Sequence, residues 1–251
     1  DNTILELNEH GIKDVNLNFE YTTYTTEQNA RQYTKFSKFM NEGLDKEFGD
    51  SRVIVSVFAD SLTKPRVTNA PELAKVTDGL FIMAYDFHRP DSDQAGPVAP
   101  IGGKGKFAEY DIETMIKDYT AAIPAEKLIL GVPYYGYNWV TESQSEYAAR
   151  IPGNDWIGYS QSQTYETIMD LVTENNIETK WDDLAKSPYF FYISPTSGMN
   201  RTVYFENVES LQFKYRLAKQ YNFGGVGIWA LGYDGARKEL WELIREEFID
   251  L

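Results

Sequence analysis

One carboxylic acid closes a ladder of amides near the start of the sequence. Residues 11–21 read Gly-Ile-Lys-Asp-Val-Asn-Leu-Asn-Phe-Glu-Tyr. The apolar Val15, Leu17 and Phe19 alternate with Asn16, Asn18 and Glu20. Period-two alternation predicts a strand that puts the two amides and the acid on one face. Polar groups on one face of a core strand need partners or a substrate. The chemistry open to this set is hydrogen bonding through the amides and, at Glu20, proton transfer. Asn16 has a plainer reading as a core amide satisfied by the neighbouring strand.

The other unusual groups fall at comparable places. Asp60, Tyr85 with Asp86, Tyr134 with Tyr135, and Trp229 each lie at the carboxyl end of a run that reads as a buried strand. These runs are Arg52–Ala59, Gly79–Tyr85, Lys127–Pro133 and Gly225–Leu231. A segment apolar on nearly every residue suits a sheet covered on both faces. Helical patterns separate the runs. The first ends at Gly11, and a second is opened by Thr25 and Gln28 as a capping box and stopped by Gly49. Others are opened by Asn69 with Pro71, run over 111–122, and carry Val208, Leu211, Tyr215 and Ala218, then Leu240, Leu243, Ile244 and Phe248. Five strands, each followed by a helix, predict a parallel sheet. Functional groups of such sheets collect at the carboxyl ends of the strands.

Two stretches break this rhythm. Residues 87–108 form a long loop rich in Pro and Gly, and loops of that length commonly carry function. Residues 137–205 read as an α+β insertion. It has a helix marked by Tyr165, Ile168, Met169 and Val172, and a hairpin of 189–193 and 201–205 split by Pro195-Thr-Ser-Gly198. The expected domains are 1–136 with 206–251, and the insertion 137–205. Within them His88 reads as a loop hydrogen-bonder and Asp182-Asp183 as a solvated turn.

Composition narrows the function classes. Of the 251 residues 42% are hydrophobic and 25% charged, the balance of a globular chain. The net charge of −14 makes nucleic acid and anionic membrane surfaces poor partners, whereas a neutral sugar is not repelled. No apolar run reaches the length of a membrane span. With no cysteine and two histidines, thiolate and His-rich metal sites are excluded, and no metal or cofactor is expected. The 18 tyrosines fit a core but also suit stacking on the apolar faces of sugars.

Several segments together resemble glycoside hydrolase family 18, the chitinase family. The strand to Glu20 stands where that family has D-G-x-D-x-D-x-E. Met83-Ala84-Tyr85-Asp86 matches its M-x-Y-D, and Gly225-Val-Gly-Ile-Trp229 matches its last strand. Leu130-Gly-Val-Pro-Tyr-Tyr-Gly136 looks like its seventh. Tyr85-Asp86-Phe87-His88 and Gly96-Pro97-Val98-Ala99-Pro100 are closest to bacterial branches that include spore-wall hydrolases. The resemblance implies a TIM (β/α)8 barrel. This chain would supply its last five β/α units, with the insertion between the seventh and eighth strands. An upstream segment or a second chain would supply the first three strands.

The resemblance also implies substrate-assisted, retaining hydrolysis of an N-acetylglucosamine glycan, chitin or peptidoglycan. The 2-acetamido oxygen of the substrate is the nucleophile, an exception to the two-carboxylate scheme. Glu20 would be the general acid, Tyr85 would hydrogen-bond the acetamido group and Asp86 would help hold the sugar. Trp229 would floor the subsite. Apart from the resemblance, Tyr134, Tyr137 and Trp139 read either as cleft walls in contact with substrate or as packing against the insertion. The oligosaccharide or polysaccharide is the expected partner, in an extracellular or cell-surface setting.

Asn16 and Asn18 depart from the family pattern. Where the family's second Asp orients the acetamido N–H and stabilises the charged ring intermediate, Asn18 keeps an acceptor oxygen. It supplies no negative charge and shares no proton with Glu20. The readings left open are a working variant, a weakened enzyme, an engineered inactive form, and a non-hydrolytic glycan-binding lectin.

Overall fold

Helix ends and buried runs fix the elements of the computed structural model, which describes residues 2–23, 25–64 and 66–249. Helix α1 (Asn2–His10) ends at Gly11, whose φ of +64° is the left-handed conformation that closes helices. Strand β1 (Val15–Leu17) follows, then helix α2 (Glu27–Phe48). The α2 cap lies one residue beyond the expected box. Thr26 accepts the N–H of Asn29, because the Thr25 hydroxyl is taken by the Asn29 side chain at 2.9 Å. Strand β2 (Val53–Phe58), the short helix α3 (Ala70–Ala74) capped by Asn69, strand β3 (Gly79–Met83) and helix α4 (Ile112–Ala122) come next. Strand β4 (Leu128–Pro133) is followed directly by β5 (Tyr135–Thr141).

After them come β6 (Gln161–Thr164), α5 (Tyr165–Glu174), β7 (Lys180–Asp182), β8 (Ser187–Ile193) and β9 (Asn200–Tyr204). Helix α6 (Val208–Gln220), strand β10 (Gly225–Trp229) and helix α7 (Glu239–Phe248) complete the order.

The strands make two sheets. One is a parallel half-barrel in the order β1-β2-β3-β4-β10, as the strand–helix alternation predicts. Its register pairs Val15 with Val53 and Val55 with Leu80. Among the described residues β1 and β10 are its outer strands. The other sheet is antiparallel, in the order β6-β5-β9-β8-β7. It includes the expected hairpin, with Ile193 opposite Asn200, but begins at Tyr135, two residues before the expected boundary.

By its contacts the chain divides into two compact units. The first holds residues up to Met83, Met115–Leu130 and Gln220–Gly227. Val53, Val55, Val57, Leu80 and Ile82 are fully buried there, with Leu73 of α3 and Ile116 and Tyr119 of α4. Each such aliphatic side chain contributes about 1.5–3 kcal/mol. Gly227 is required by close approach, since a Cβ there would stand 2.2 Å from the Phe81 ring. The second unit holds Ala84–Thr114, Gly131–Lys219 and Ile228–Leu251. Its core is aromatic, with Tyr135, Tyr137, Trp139, Tyr189 and Tyr204 in one cluster. Gly136 lets β5 lie against β9, because a Cβ there would meet the Tyr204 carbonyl at 2.4 Å.

Candidate active site

In the first unit, Phe19 aims the segment after β1. Its ring packs on Tyr33 and Phe36 of α2, with centroids 5.2 and 5.9 Å apart. The strand expected to reach Glu20 ends at Leu17, and Asn18 and Glu20 beyond it are both exposed. Asn18 Nδ2 donates to Glu20 Oε1 at 3.0 Å. The amide thus meets the acid as a donor and brings no charge and no exchangeable acid proton. Asn16 behaves as a structural amide, its Oδ1 accepting from the Ser56 hydroxyl of β2 at 3.0 Å.

Asp60, at the end of β2, is occupied. Arg66 donates to both of its oxygens, Lys64 approaches Oδ2 at 3.2 Å, and the Arg66 guanidinium lies 4.3 Å above the Phe58 ring. Burial pushes the Asp60 carboxyl up, but the two cations outweigh it and hold it below the usual range.

In the second unit, Tyr85 and Asp86 leave β3 in an unusual geometry. Asp86 has φ +62°, a left-handed conformation that a non-glycine residue adopts only when surroundings hold it there. Two phenols do so. The hydroxyls of Tyr135 and Tyr137 both donate to Asp86 Oδ1, the latter at 2.6 Å. The half-buried Tyr85 packs edge-on against Tyr135, with centroids 6.1 Å apart. Burial, reinforced by the Asp86 charge, pushes both Tyr135 and Tyr137 well above the ordinary phenol range. They therefore remain donors at any physiological pH.

Two of the aromatic candidates lie in the packed interior. Tyr134 is fully buried, with its hydroxyl 3.2 Å from that of Tyr215, and burial pushes it up to about 12. Trp139 is also fully buried and donates its indole N–H to the Arg89 carbonyl at 3.0 Å. Side chains with no accessible surface touch no ligand, so the substrate-contact roles expected of Tyr134 and Trp139 give way to packing. Strand alternation explains the shift: Tyr134 points to α6, whereas its neighbour Tyr135 points to Asp86. Period two sets Tyr135, Tyr137 and Trp139 on one face of β5, but no pattern in the sequence announces the bonds of the two phenols to Asp86.

Trp229 ends β10 with 46% of its surface exposed. Its carbonyl accepts the Tyr134 N–H at 2.8 Å, and its bond to Ala230 is cis. His88 holds the loop 87–108, its ring nitrogens 2.9 Å from the Pro97 carbonyl and 3.1 Å from that of Phe107. Asp182 is not solvated as expected. It is buried and accepts from the Tyr147 hydroxyl and the N–H groups of Leu184 and Ala185. Among the described residues no group of three or more His, Asp or Glu side chains is placed to hold a metal ion. No described helix is long and apolar enough to cross a membrane.

The sequence model of the glycosyl hydrolases family 18 matches residues 1–234. The chain belongs to this family. It is 31% identical over 159 residues to YdhD of Bacillus subtilis (strain 168), described as a sporulation-specific glycosylase; the match takes in 63% of this chain and 33% of YdhD. It is 24% identical over 247 residues to the cortical fragment-lytic enzyme of the same organism, 95% of this chain and 50% of that one. The chain thus spans a third to a half of these relatives. In fold it is similar to the group IV chitinase of Ostrinia furnacalis crystallised with allosamidin. The TM-score is 0.83 at 22% identity, over 97% of this chain and 70% of that chain.

Proposed function

We propose that this family 18 chain is a glycosidase of N-acetylglucosamine glycans, chitin or peptidoglycan. It works by substrate-assisted retaining hydrolysis, with Glu20 as general acid. The carrying observation is Glu20, just beyond β1 and in contact with Asn18, within a chain whose family match runs almost end to end. In this reading Tyr85 hydrogen-bonds the acetamido group and Trp229 floors the sugar. Asp86, held by its two phenols, fixes the sugar's orientation. The enzymes named for cortical fragments and chitin among the relatives support this substrate class. We also take the five parallel strands as the last five of an eight-stranded barrel, and place the protein outside the cell or on its surface, where such polymers lie.

Hydrolysis of a soluble N-acetylglucosamine tetramer tests the reading. Glu20→Gln is expected to lower kcat about 10²–10⁴-fold, the contribution of a positioned proton donor. Asn18→Asp restores the missing negative charge and is expected to raise kcat, by up to about 10²–10³-fold. Turnover indifferent to Glu20→Gln refutes the assignment. The Asn18–Glu20 contact favours one second reading, a lectin on the same residues. Binding of the tetramer without turnover, equal in the native chain and Glu20→Gln, establishes that reading instead.

A further inference from the structure

Trp156 stands on the second unit with 90% of its surface exposed. A mobile loop would explain little, but this loop is tightly built. Its ends are tied to β5, with the Ile151 N–H on the Val140 carbonyl at 2.9 Å and the Ser160 hydroxyl accepting the Val140 N–H at 3.1 Å. Asn154 Oδ1 accepts the N–H groups of Trp156 and Ile157, at 2.9 and 3.1 Å. Asn154 and Gly158 also exchange backbone hydrogen bonds, at 3.2 and 2.8 Å.

Buried Arg201 of β9 holds the turn from beneath, donating to the carbonyls of Tyr159 at 2.9 Å and Ile157 at 3.4 Å. Two glycines make this possible. Gly158 has φ +79° and a Cβ on it would stand 2.5 Å from Arg201 Nη2, while a Cβ on Gly153 would stand 2.5 Å from the Gly158 carbonyl. Glycine packing, a side-chain-capped turn and a buried guanidinium thus converge on presenting one indole to solvent.

The surroundings define what the indole meets. Tyr159 is exposed beside it and donates its hydroxyl to Asp155 at 2.9 Å. Asn154, Gln161 and Ser162 are exposed along the same segment. Residues 151–164 contain no Lys or Arg, and Asp155 is their one charge. Such a surface repels polyanions and suits a ligand with apolar C–H faces and many hydroxyls. A rigid aromatic also loses little conformational freedom on binding.

We propose that the loop 151–160 is a carbohydrate-binding platform that holds an uncharged polymer of N-acetylglucosamine by stacking on Trp156. Asp155, Tyr159, Gln161 and Ser162 bond its hydroxyl and amide groups. The choice of sugar rests on the family 18 reading. The choice of an uncharged polymer rests on the absence of cations from the loop.

The test is depletion of the chain from solution by colloidal chitin, for the native chain, Trp156→Ala and Trp156→Phe. Trp156→Ala is expected to bind about five- to tenfold more weakly, an aromatic stacking contribution, with an unchanged melting temperature because the side chain packs on little. Trp156→Phe is expected to stay within about threefold of native. The glycosidase reading is tested separately, by turnover of the soluble tetramer, so its loss leaves this measurement standing. Native binding in Trp156→Ala overturns the platform, as does the absence of native binding. Retention on peptidoglycan but not chitin overturns the uncharged polymer. A Trp156→Ala effect seen solely as loss of self-association in sedimentation overturns the glycan altogether.

Discussion

Asp86 is a residue whose backbone and side chain are set by different forces. Its left-handed φ is disfavoured, and the Tyr135 and Tyr137 hydroxyls on one carboxylate oxygen hold it there. A hydrogen bond to a charged group contributes about 1.5–3 kcal/mol. Tyr137→Phe removes one such bond and leaves the ring packed against Trp139. We expect KM for the soluble tetramer to rise about tenfold with kcat changing less, because the loss acts on how Asp86 is held. Steady-state kinetics at several substrate concentrations separates the two. A fall in kcat with KM unchanged would place Asp86 in the chemical step. At this scale the residue types of Asn18, Glu20, Tyr85 and Asp86 were readable from their neighbours in the chain. Tyr137 acquired its role only through Asp86, 51 positions away. Nothing in a linear pattern marks which hydroxyl a carboxylate will accept.

The end of β9 and helix α6 are joined by a pair that no periodicity announces. Glu206 and Lys214 are both fully buried, 2.7 Å apart. Burial pushes the Glu206 carboxyl up and the Lys214 ammonium down, and the attraction between them opposes both shifts. Removing one partner strands the other without water. Lys214→Met is expected to destabilise the protein by about 3–5 kcal/mol. The double replacement Glu206→Leu with Lys214→Met is expected to recover most of that loss. Denaturant unfolding of the three proteins checks this, and an additive double variant would show the pair to be uncoupled. The elements themselves were legible: β2, β3, β4 and β10 announce themselves as apolar runs, and α2 by its cap and Gly49. The start of the antiparallel sheet was less so. Pro133, Tyr134 and Tyr135 pass from one sheet to the other, and the absence of a side chain at Gly136 permits β5 to lie against Tyr204.

For the molecule as a whole, acid response follows from which carboxylates are paired. Asp60 has its folded pKa lowered by Arg66 and Lys64. Its stabilising contribution is therefore present above the unfolded value of about 3.9 and is lost as pH falls through the lower folded value. Asp60→Asn is expected to lower stability by about 2 kcal/mol at pH 7. That difference should shrink toward zero as the pH drops below the usual carboxylate range. Unfolding curves from pH 7 to pH 2 test the sign, and a gap that widens in acid would contradict it. The amino-acid sequence alone determined the parallel strand–helix order, the family and the net charge, whereas the strand expected to reach Glu20 ends at Leu17. The first three depend on local periodicity, chain order and total charge, each of which is written along the chain. Only the tertiary structure decided that Tyr134 and Trp139 are packing, that Tyr135 and Tyr137 hold Asp86, and that Trp156 is displayed on a pinned loop. Burial and hydrogen-bond partnership are relations between segments far apart in sequence, and they exist only once the sheets have formed.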